Sequence, residues 1–252
     1  MRTTFDFQGR KVLVTGGARG IGLEMTRQLI ARGANVIAVG RDAAALAAVE
    51  AELGATVSTR QADLGEAGSV FALAGWVREQ HPDCSVLVNN AAIMHHLDRT
   101  RDSLERLDAI SAEIAVNATA PLQLAVAMLP VLRAHPSAAI VNVTSGLAIA
   151  PKRDAAVYCA AKAALRSFTR SLRDQCRAAG LPIQVSEAVM TLVDTTLSRP
   201  ARVRKYPPAR AAADVIVGVE RGREEIWIEK TKLLRVVHRL SPGLACRIMR
   251  DR

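Results

Sequence analysis

Between Lys11 and Gly22 the chain reads Lys-Val-Leu-Val-Thr-Gly-Gly-Ala-Arg-Gly-Ile-Gly, and this stretch constrains the fold more than any other. Val12, Leu13 and Val14 form a short apolar run, β-branched at two positions, of the kind buried in a parallel sheet. Gly16, Gly20 and Gly22 follow in a Gly-x-x-x-Gly-x-Gly pattern, with Arg19 and Ile21 between them. Leu23, Thr26, Leu29 and Ile30 then recur at helical spacing. A strand, a glycine turn and a helix in this order point to a nucleotide site. Glycines let the backbone approach a pyrophosphate, and the helix N-terminus supplies N–H groups and the positive end of its dipole. The plain alternative is an ordinary tight turn, and the rest of the chain argues against it.

Apolar runs at Asn35–Val39, Val57–Thr59, Val86–Val88, Ala139–Val143, Gln184–Ala188 and Glu225–Ile228 alternate with helical stretches. This alternation predicts a single α/β domain, a doubly wound and mostly parallel sheet with helices on both faces. Half of the 252 residues are hydrophobic, enough for a sizeable core. Internal repeats, low-complexity linkers and a domain boundary are not apparent. No apolar run approaches the ~20 residues that span a bilayer, and the polar run Asp6 to Arg10 leaves no signal-peptide core. Cys84, Cys159, Cys176 and Cys246 have neither metal nor disulfide spacing, which fits small buried side chains in a reducing, cytoplasmic setting.

Tyr158 is followed four positions later by Lys162, which places a phenol and an ammonium on one helix face. The cation is expected to lower the tyrosine pKa and to make a proton donor for a carbonyl oxygen that gains charge as hydride arrives. Ser145 lies thirteen residues upstream of Tyr158, just past the apolar run Ala139–Val143. Cys159 is expected to point about 100° away from its neighbour Tyr158.

Taken together, the motifs resemble the short-chain dehydrogenase/reductase family over about residues 8 to 228. Thr15 to Gly22 looks like the family's cofactor turn, with Gly16, Arg19, Gly20, Ile21 and Gly22 as its contacts. Asp63 and Leu64 resemble the pair that meets the adenine. Asn89-Asn90-Ala91-Ala92 resembles Asn-Asn-Ala-Gly, with Asn90 and Ala91 at the cofactor. Asn117, Ser145, Tyr158 and Lys162 match the catalytic set. The resemblance implies a Rossmann-type fold and an oxidoreductase that moves hydride between a nicotinamide and a carbonyl/alcohol pair. It gives Ser145 a hydrogen bond to the substrate carbonyl and Tyr158 the general acid/base role. Lys162 holds the nicotinamide ribose and tunes Tyr158. Asn117 kinks its helix and holds a relay water. Val193 and Thr195 contact the carboxamide. Homodimers or homotetramers are implied as well.

Members that select NAD carry a carboxylate at the end of the second strand. Here that strand ends in Gly40-Arg41. Arg41 and Arg19 are two cations where an anion is missing, and a guanidinium pairs bidentately with phosphate. NADP(H) is therefore the expected cofactor, and Asp42 is read as the cap of the next helix. Two departures from the family pattern stand out. Ala92 replaces a glycine, which predicts a slightly altered turn. Met190-Thr191 replaces Pro-Gly, which changes the stiffness of the substrate loop. Ile93, Met94, Leu147, Ile149, Met190, Leu192 and Leu197 predict an apolar substrate pocket, so a hydrophobic ketone, aldehyde or secondary alcohol fits best. His95 and His96 read as solvated loop residues rather than metal ligands.

Residues 199 to 252 hold fourteen Lys/Arg against six Asp/Glu, and so carry most of the net charge of +10. Arg199, Arg202, Arg204 and Lys205 cluster near the substrate loop. From about residue 230 to 252 the chain reads as a basic amphipathic extension. Leu233, Val236, Val237 and Leu240 repeat at helical spacing. Ser241-Pro242-Gly243 breaks that helix and starts another, with Leu244, Ala245, Ile248 and Met249 on one face. The pattern fits packing on the parent domain, contact with another subunit, or peripheral contact with an anionic membrane. With 3% aromatic residues and no recognised motif, nucleic-acid binding is not expected. A non-catalytic NADP(H)-binding regulator and an epimerase using transient oxidation are the alternative functions. The catalytic set argues against the first.

Overall fold

A computed structural model describes residues 5–95, 106–198 and 204–250. Among them one sheet runs in the order β3-β2-β1-β4-β5-β6-β7. The strands are β1 (Lys11–Thr15), β2 (Asn35–Gly40), β3 (Val57–Gln61), β4 (Cys84–Asn89), β5 (Ala138–Ser145), β6 (Ile183–Met190) and β7 (Glu225–Trp227). Every neighbouring pair is parallel. The strand order reverses between β1 and β4. In open α/β sheets this opens a crevice at the C-terminal strand ends, where ligands bind.

Alternation along each strand feeds two separate cores. On one face Val12, Val14, Val36 and Val86 pack with Met25 and Leu29 of α1 (Gly20–Ile30) and Val215, Ile216 and Val219 of α7 (Pro208–Glu220). On the other, Leu13, Ile37, Leu87 and Ile140 meet Leu73 and Val77 of α3 (Ser69–Gln80). The same core takes Leu124 and Met128 of α5 (Ala120–Leu132) and Leu172 of α6 (Ala156–Ala178). The doubly wound arrangement matches the sequence expectation. Helix α1 begins three residues earlier than its apolar stripe implied, and Met25 joins Thr26 and Leu29 on its buried side.

Helix α2 (Ala43–Leu53) is capped by Asp42, whose side chain accepts from Ala45 N at 2.9 Å. Helix α4 (Arg106–Ile114) continues through a π-helical turn, Ala115–Thr119, into α5. Residues Leu107–Leu132 of this continuous rod are long and apolar enough to cross a bilayer by composition alone. Its inward side instead buries Glu113, Asn117, Leu124 and Met128 in the protein. Polar residues punctuate the stretch, so it contains no long uninterrupted apolar run.

A buried ion network fixes α6 to the sheet. Arg166 Nη1 donates to Glu187 Oε2 at 2.5 Å, and Thr144 Oγ1 donates to Glu187 Oε1 at 2.6 Å. Arg166 also reaches Glu225, which pairs with Arg170. Helices α8 (Thr231–Leu240) and α9 (Pro242–Met249) follow β7, and Ser241 caps the second by accepting from Leu244 N. Leu234 and Ala245 bury themselves against Ala150, with Val237 and Met249 beside them.

Candidate active site

The glycine turn and the turn after β4 are sewn together by Thr15. Its Oγ1 accepts from Asn90 N at 2.9 Å and Ala91 N at 3.1 Å. Asn90 Nδ2 donates back to Thr15 O at 2.9 Å. Gly16 has φ +67°, and a methyl on it would sit 3.0 Å from Asn90 Nδ2. A methyl on Gly22 would sit 2.0 Å from the Gly16 carbonyl oxygen, closer than any real contact. Only glycine therefore allows α1 to start this close to the turn. No side chain caps the N-terminus of α1, so its first N–H groups face the crevice without a side-chain acceptor. A glycine cradle with uncapped helix N–H groups suits a pyrophosphate, so these residues fit a dinucleotide.

Beyond β2, Arg41, Arg60, Gln61, Ala62, Asp63, Glu66, Ser69 and Leu73 line a cavity of about 490 Å³. Arg41 and Arg60 are both exposed at its rim, and Gly40 contributes no side chain. Asp63 Oδ1 accepts from Gly65 N at 2.9 Å, and Leu64 packs on the apolar core behind. Arg19 departs from expectation: its guanidinium pairs with Asp42. The α2 cap and, behind it, Arg19 hold the Asp42 carboxyl below the ordinary carboxylate range. Arg60 is the second cation that sequence reasoning missed. It lies nineteen residues from Arg41 in sequence, and only the pairing of Val39 with Arg60 across β2 and β3 brings the two together. Two cations at neighbouring strand ends were the available signal.

Ser145 ends β5, and Tyr158 and Lys162 project from the first turns of α6; all three are buried. Ser145 Oγ accepts from Leu147 N at 3.1 Å, and its hydroxyl is the polar neighbour that favours ionisation of the Tyr158 phenol. Lys162 Nζ donates to Val143 O at 2.9 Å and stands 5.8 Å from the Tyr158 ring centre. The pKa expectation is corrected here. Burial pushes the Tyr158 phenol well above its ordinary value, and the Ser145 hydroxyl opposes this only in part. The ammonium is turned to a backbone carbonyl rather than to the phenol oxygen, and burial pushes Lys162 itself down to about 8. Desolvation outweighs the cation in this state. The Cys159 thiol turns away as expected, toward Lys152 N at 3.4 Å.

Asn117 lies in the π-helical turn, a local distortion that agrees with the expected kink. Its side chain is committed to Ile93: Ile93 N donates to Oδ1 at 2.9 Å, and Nδ2 donates to Ile93 O at 2.7 Å. One helical turn earlier the fully buried Glu113 accepts from His95 N. Glu113 and Asn117 together replace a strand partner for residues 93–95 and fix the segment beside the phenol. Glu113 was missed; its i, i+4 relation to Asn117 was the available signal.

The loop after β6 brings Thr195 against Gly20, with Thr195 Cγ2 3.2 Å from where a Gly20 methyl would lie. Val193 is buried and forms a bridge with Tyr206. Thr191, in the departure from Pro-Gly, donates from Oγ1 to Glu229 Oε2 at 3.0 Å, so a hydrogen bond holds the loop in place of a stiff proline. The predicted pocket lining divides. Of it, Met94, Leu147 and Leu197 pack around Tyr158 and Cys159, where Ala92 of the altered turn joins them. Met190 belongs to the core, Ile149 packs under the C-terminal helices, and Leu192 faces solvent. His96, Arg199 and Arg202 lie outside the described residues. No group of three metal-ligating side chains occurs among those described.

The profile of the short chain dehydrogenase family matches residues 10–205. An uncharacterized oxidoreductase of Bacillus subtilis, DltE, is 37% identical over 230 residues, spanning 89% of this chain and 90% of its own. A short chain dehydrogenase from Burkholderia cenocepacia, solved in complex with NADP, superposes with a TM-score of 0.85 at 24% identity, covering 97% of this chain and 99% of that one. A short chain dehydrogenase/reductase from Burkholderia phymatum, solved in complex with NAD, gives a TM-score of 0.84 at 21% identity, covering 98% and 97%.

Proposed function

Since the chain belongs to the short-chain dehydrogenase family, and is thus an oxidoreductase acting on alcohols or carbonyls with a nicotinamide cofactor, we propose that it is an NADP(H)-dependent reductase of apolar carbonyl compounds. The carrying observation is the buried Ser145–Tyr158–Lys162 group at the C-terminal strand ends, beside the glycine cradle. The cofactor, when bound, supplies or accepts the hydride. The chain's own residues do the rest. The Gly16–Gly22 turn, Asn90 and Ala91 receive the pyrophosphate side, Asp63 and Leu64 the adenine side, and Val193 and Thr195 the carboxamide side. Ser145 donates a hydrogen bond to the substrate oxygen and orients the phenol. As negative charge grows on that oxygen, Tyr158 gives it a proton, and in the reverse direction it takes one back. Burial keeps the phenol protonated, so the proton to be transferred is in place at neutral pH. Lys162 stabilises the phenolate left behind. Asn117 positions the segment at Ile93 that walls the site. Ala92, Met94, Leu147 and Leu197 give that wall its apolar character and support a hydrophobic substrate. A panel of ketones and aldehydes assayed by NADPH consumption tests the proposal; no turnover of any apolar carbonyl would overturn it.

Arg41 and Arg60 support a preference for NADP(H). Charge-assisted phosphate contacts contribute ~1.5–3 kcal/mol each. NADPH is therefore expected to bind at least about tenfold more tightly than NADH. Arg41→Ala should erase most of that ratio by weakening NADPH alone. Fluorescence titration of both cofactors measures it, and equal wild-type affinities rule out the preference.

The pH dependence of kcat/KM reports groups of the free enzyme. Lys162 carries its charge below a pKa depressed to about 8 and loses it above. The phenol, raised by burial, keeps its proton through the same range. Carbonyl reduction should therefore hold steady at neutral pH and fall above about pH 8. A profile that rises through this range contradicts the assignment.

A further inference from the structure

Helix α8 carries two apolar stripes where one was expected. Leu234 and Val237 turn inward against Ala150 and its neighbours. Leu233, Val236 and Leu240 turn outward and are 67%, 53% and 81% exposed. Helix α9 repeats the division, with Ala245 buried and Leu244 and Ile248 open to solvent. Positions 233, 236 and 240 fall within about 60° of one another on a helical wheel, and Lys232, Arg235 and Arg239 flank them on one side. From Lys230 to Arg250 the chain holds Lys230, Lys232, Arg235, Arg239, Arg247 and Arg250 and no acidic residue. The inner stripe and its surroundings hold this face in place. Thr231 Oγ1 donates to Ile228 O at 2.8 Å, and Arg235 lies over the Trp227 ring at 5.3 Å. Leu234 closes on Gly146, where an added methyl would come within 3.0 Å of its Cδ2. The outer stripe is therefore a preformed apolar surface on the same element that walls the segment after Ser145.

We propose that the outward face of α8 and α9 is a docking surface for an anionic lipid bilayer, on which the protein lies peripherally. Leucine, valine and isoleucine side chains would enter the boundary between headgroups and acyl chains. Lys232, Arg239 and Arg247, all exposed, would reach back along their own stems to the phosphates. Charge complementarity selects this occupant over a second copy of the chain. A two-fold contact places each patch on itself, so it would bring these cations against one another, and neither helix carries an acid to set against them.

The full chain should be sedimented with vesicles of phosphatidylcholine alone and with vesicles containing phosphatidylglycerol. Strong partition onto the second, weak partition onto the first and release by salt are expected. Leu233→Ser with Leu240→Ser, and separately Lys232→Glu with Arg239→Glu, should each lower partition onto anionic vesicles by roughly ten- to a hundredfold. All four side chains are exposed and lie outside the proposed cofactor and catalytic residues, so melting temperature and NADPH affinity should stay unchanged. Three results overturn the proposal. The first is no partition onto anionic vesicles, and the second is equal partition onto both compositions. The third is a mass in solution that falls with Leu233→Ser and Leu240→Ser while lipid binding is absent, which would assign the face to a second copy.

Discussion

Replacing Tyr158 with phenylalanine is expected to lower kcat for carbonyl reduction by roughly a hundred- to ten-thousandfold, the usual contribution of a positioned general acid. The ring stays, so packing against Ala92, Met94, Leu147 and Leu197 survives. What leaves is the hydroxyl that faces Ser145 and carries the transferable proton. NADPH affinity and melting temperature should change little. Lys162→Met is the useful comparison. It removes the ammonium bonded to Val143 O and should weaken both turnover and cofactor binding. Single-turnover measurement under saturating NADPH separates the two cases. A Tyr158→Phe enzyme that keeps more than a tenth of wild-type turnover on a confirmed substrate excludes Tyr158 as the acid.

The largest stability effect is expected at Arg166. Its side chain is 10% exposed and its partner Glu187 is fully buried. Arg166→Met leaves Glu187 hydrogen-bonded only to the Thr144 hydroxyl, with Arg173 as a nearby cation that makes no hydrogen bond to it, and a buried carboxylate that has lost its ion-pair partner costs about 3–5 kcal/mol. For a chain of this size that corresponds to a melting temperature lower by roughly 10 °C. Arg166→Met combined with Glu187→Met removes both charges and should regain most of the loss, because the charge and not the volume is at fault. Glu225 is buffered against the change, since Arg170 and Arg235 remain near it. Thermal melts of the two variants decide the matter. If the single variant melts within about 2 °C of wild type, the pair is not holding α6 to the sheet.

Much of this protein was legible in local stretches of chain. The strand, glycine turn and helix from Lys11 to Ile30 are set by residues adjacent in sequence, and the structure reproduces them with α1 starting slightly early. Asp42 caps α2, and Ser241-Pro242-Gly243 separates α8 from α9, because caps and helix breaks depend on neighbours within one turn. The spacing of Ser145, Tyr158 and Lys162 likewise sufficed to bring them into one site, since a strand end leads into a single helix.

What failed to show in the sequence depended on partners far along the chain. Arg19 looked free for a phosphate until the fold set Asp42 beside it. Arg60 stood out from nothing in its own stretch of chain, and only the pairing of β3 with β2 carries it to Arg41. Glu113 and Asn117 needed the return of residues 93–95 alongside their helix before either had a partner. The charge balance at Tyr158 changed sign for the same reason. Spacing on a helix places an ammonium nearby, but only the packed structure determines how much water is removed and which carbonyl the ammonium faces. Helix α8 shows the same division of labour. Its periodicity announced one apolar face, yet which residues lie inward was decided by the shape of the surface at Ala150, leaving Leu233, Val236 and Leu240 outside. Local pattern thus determined the elements and the residues they carry. Desolvation and long-range pairing, which exist only once the sheet and helices close on one another, decided what state those residues are in and which face remains open.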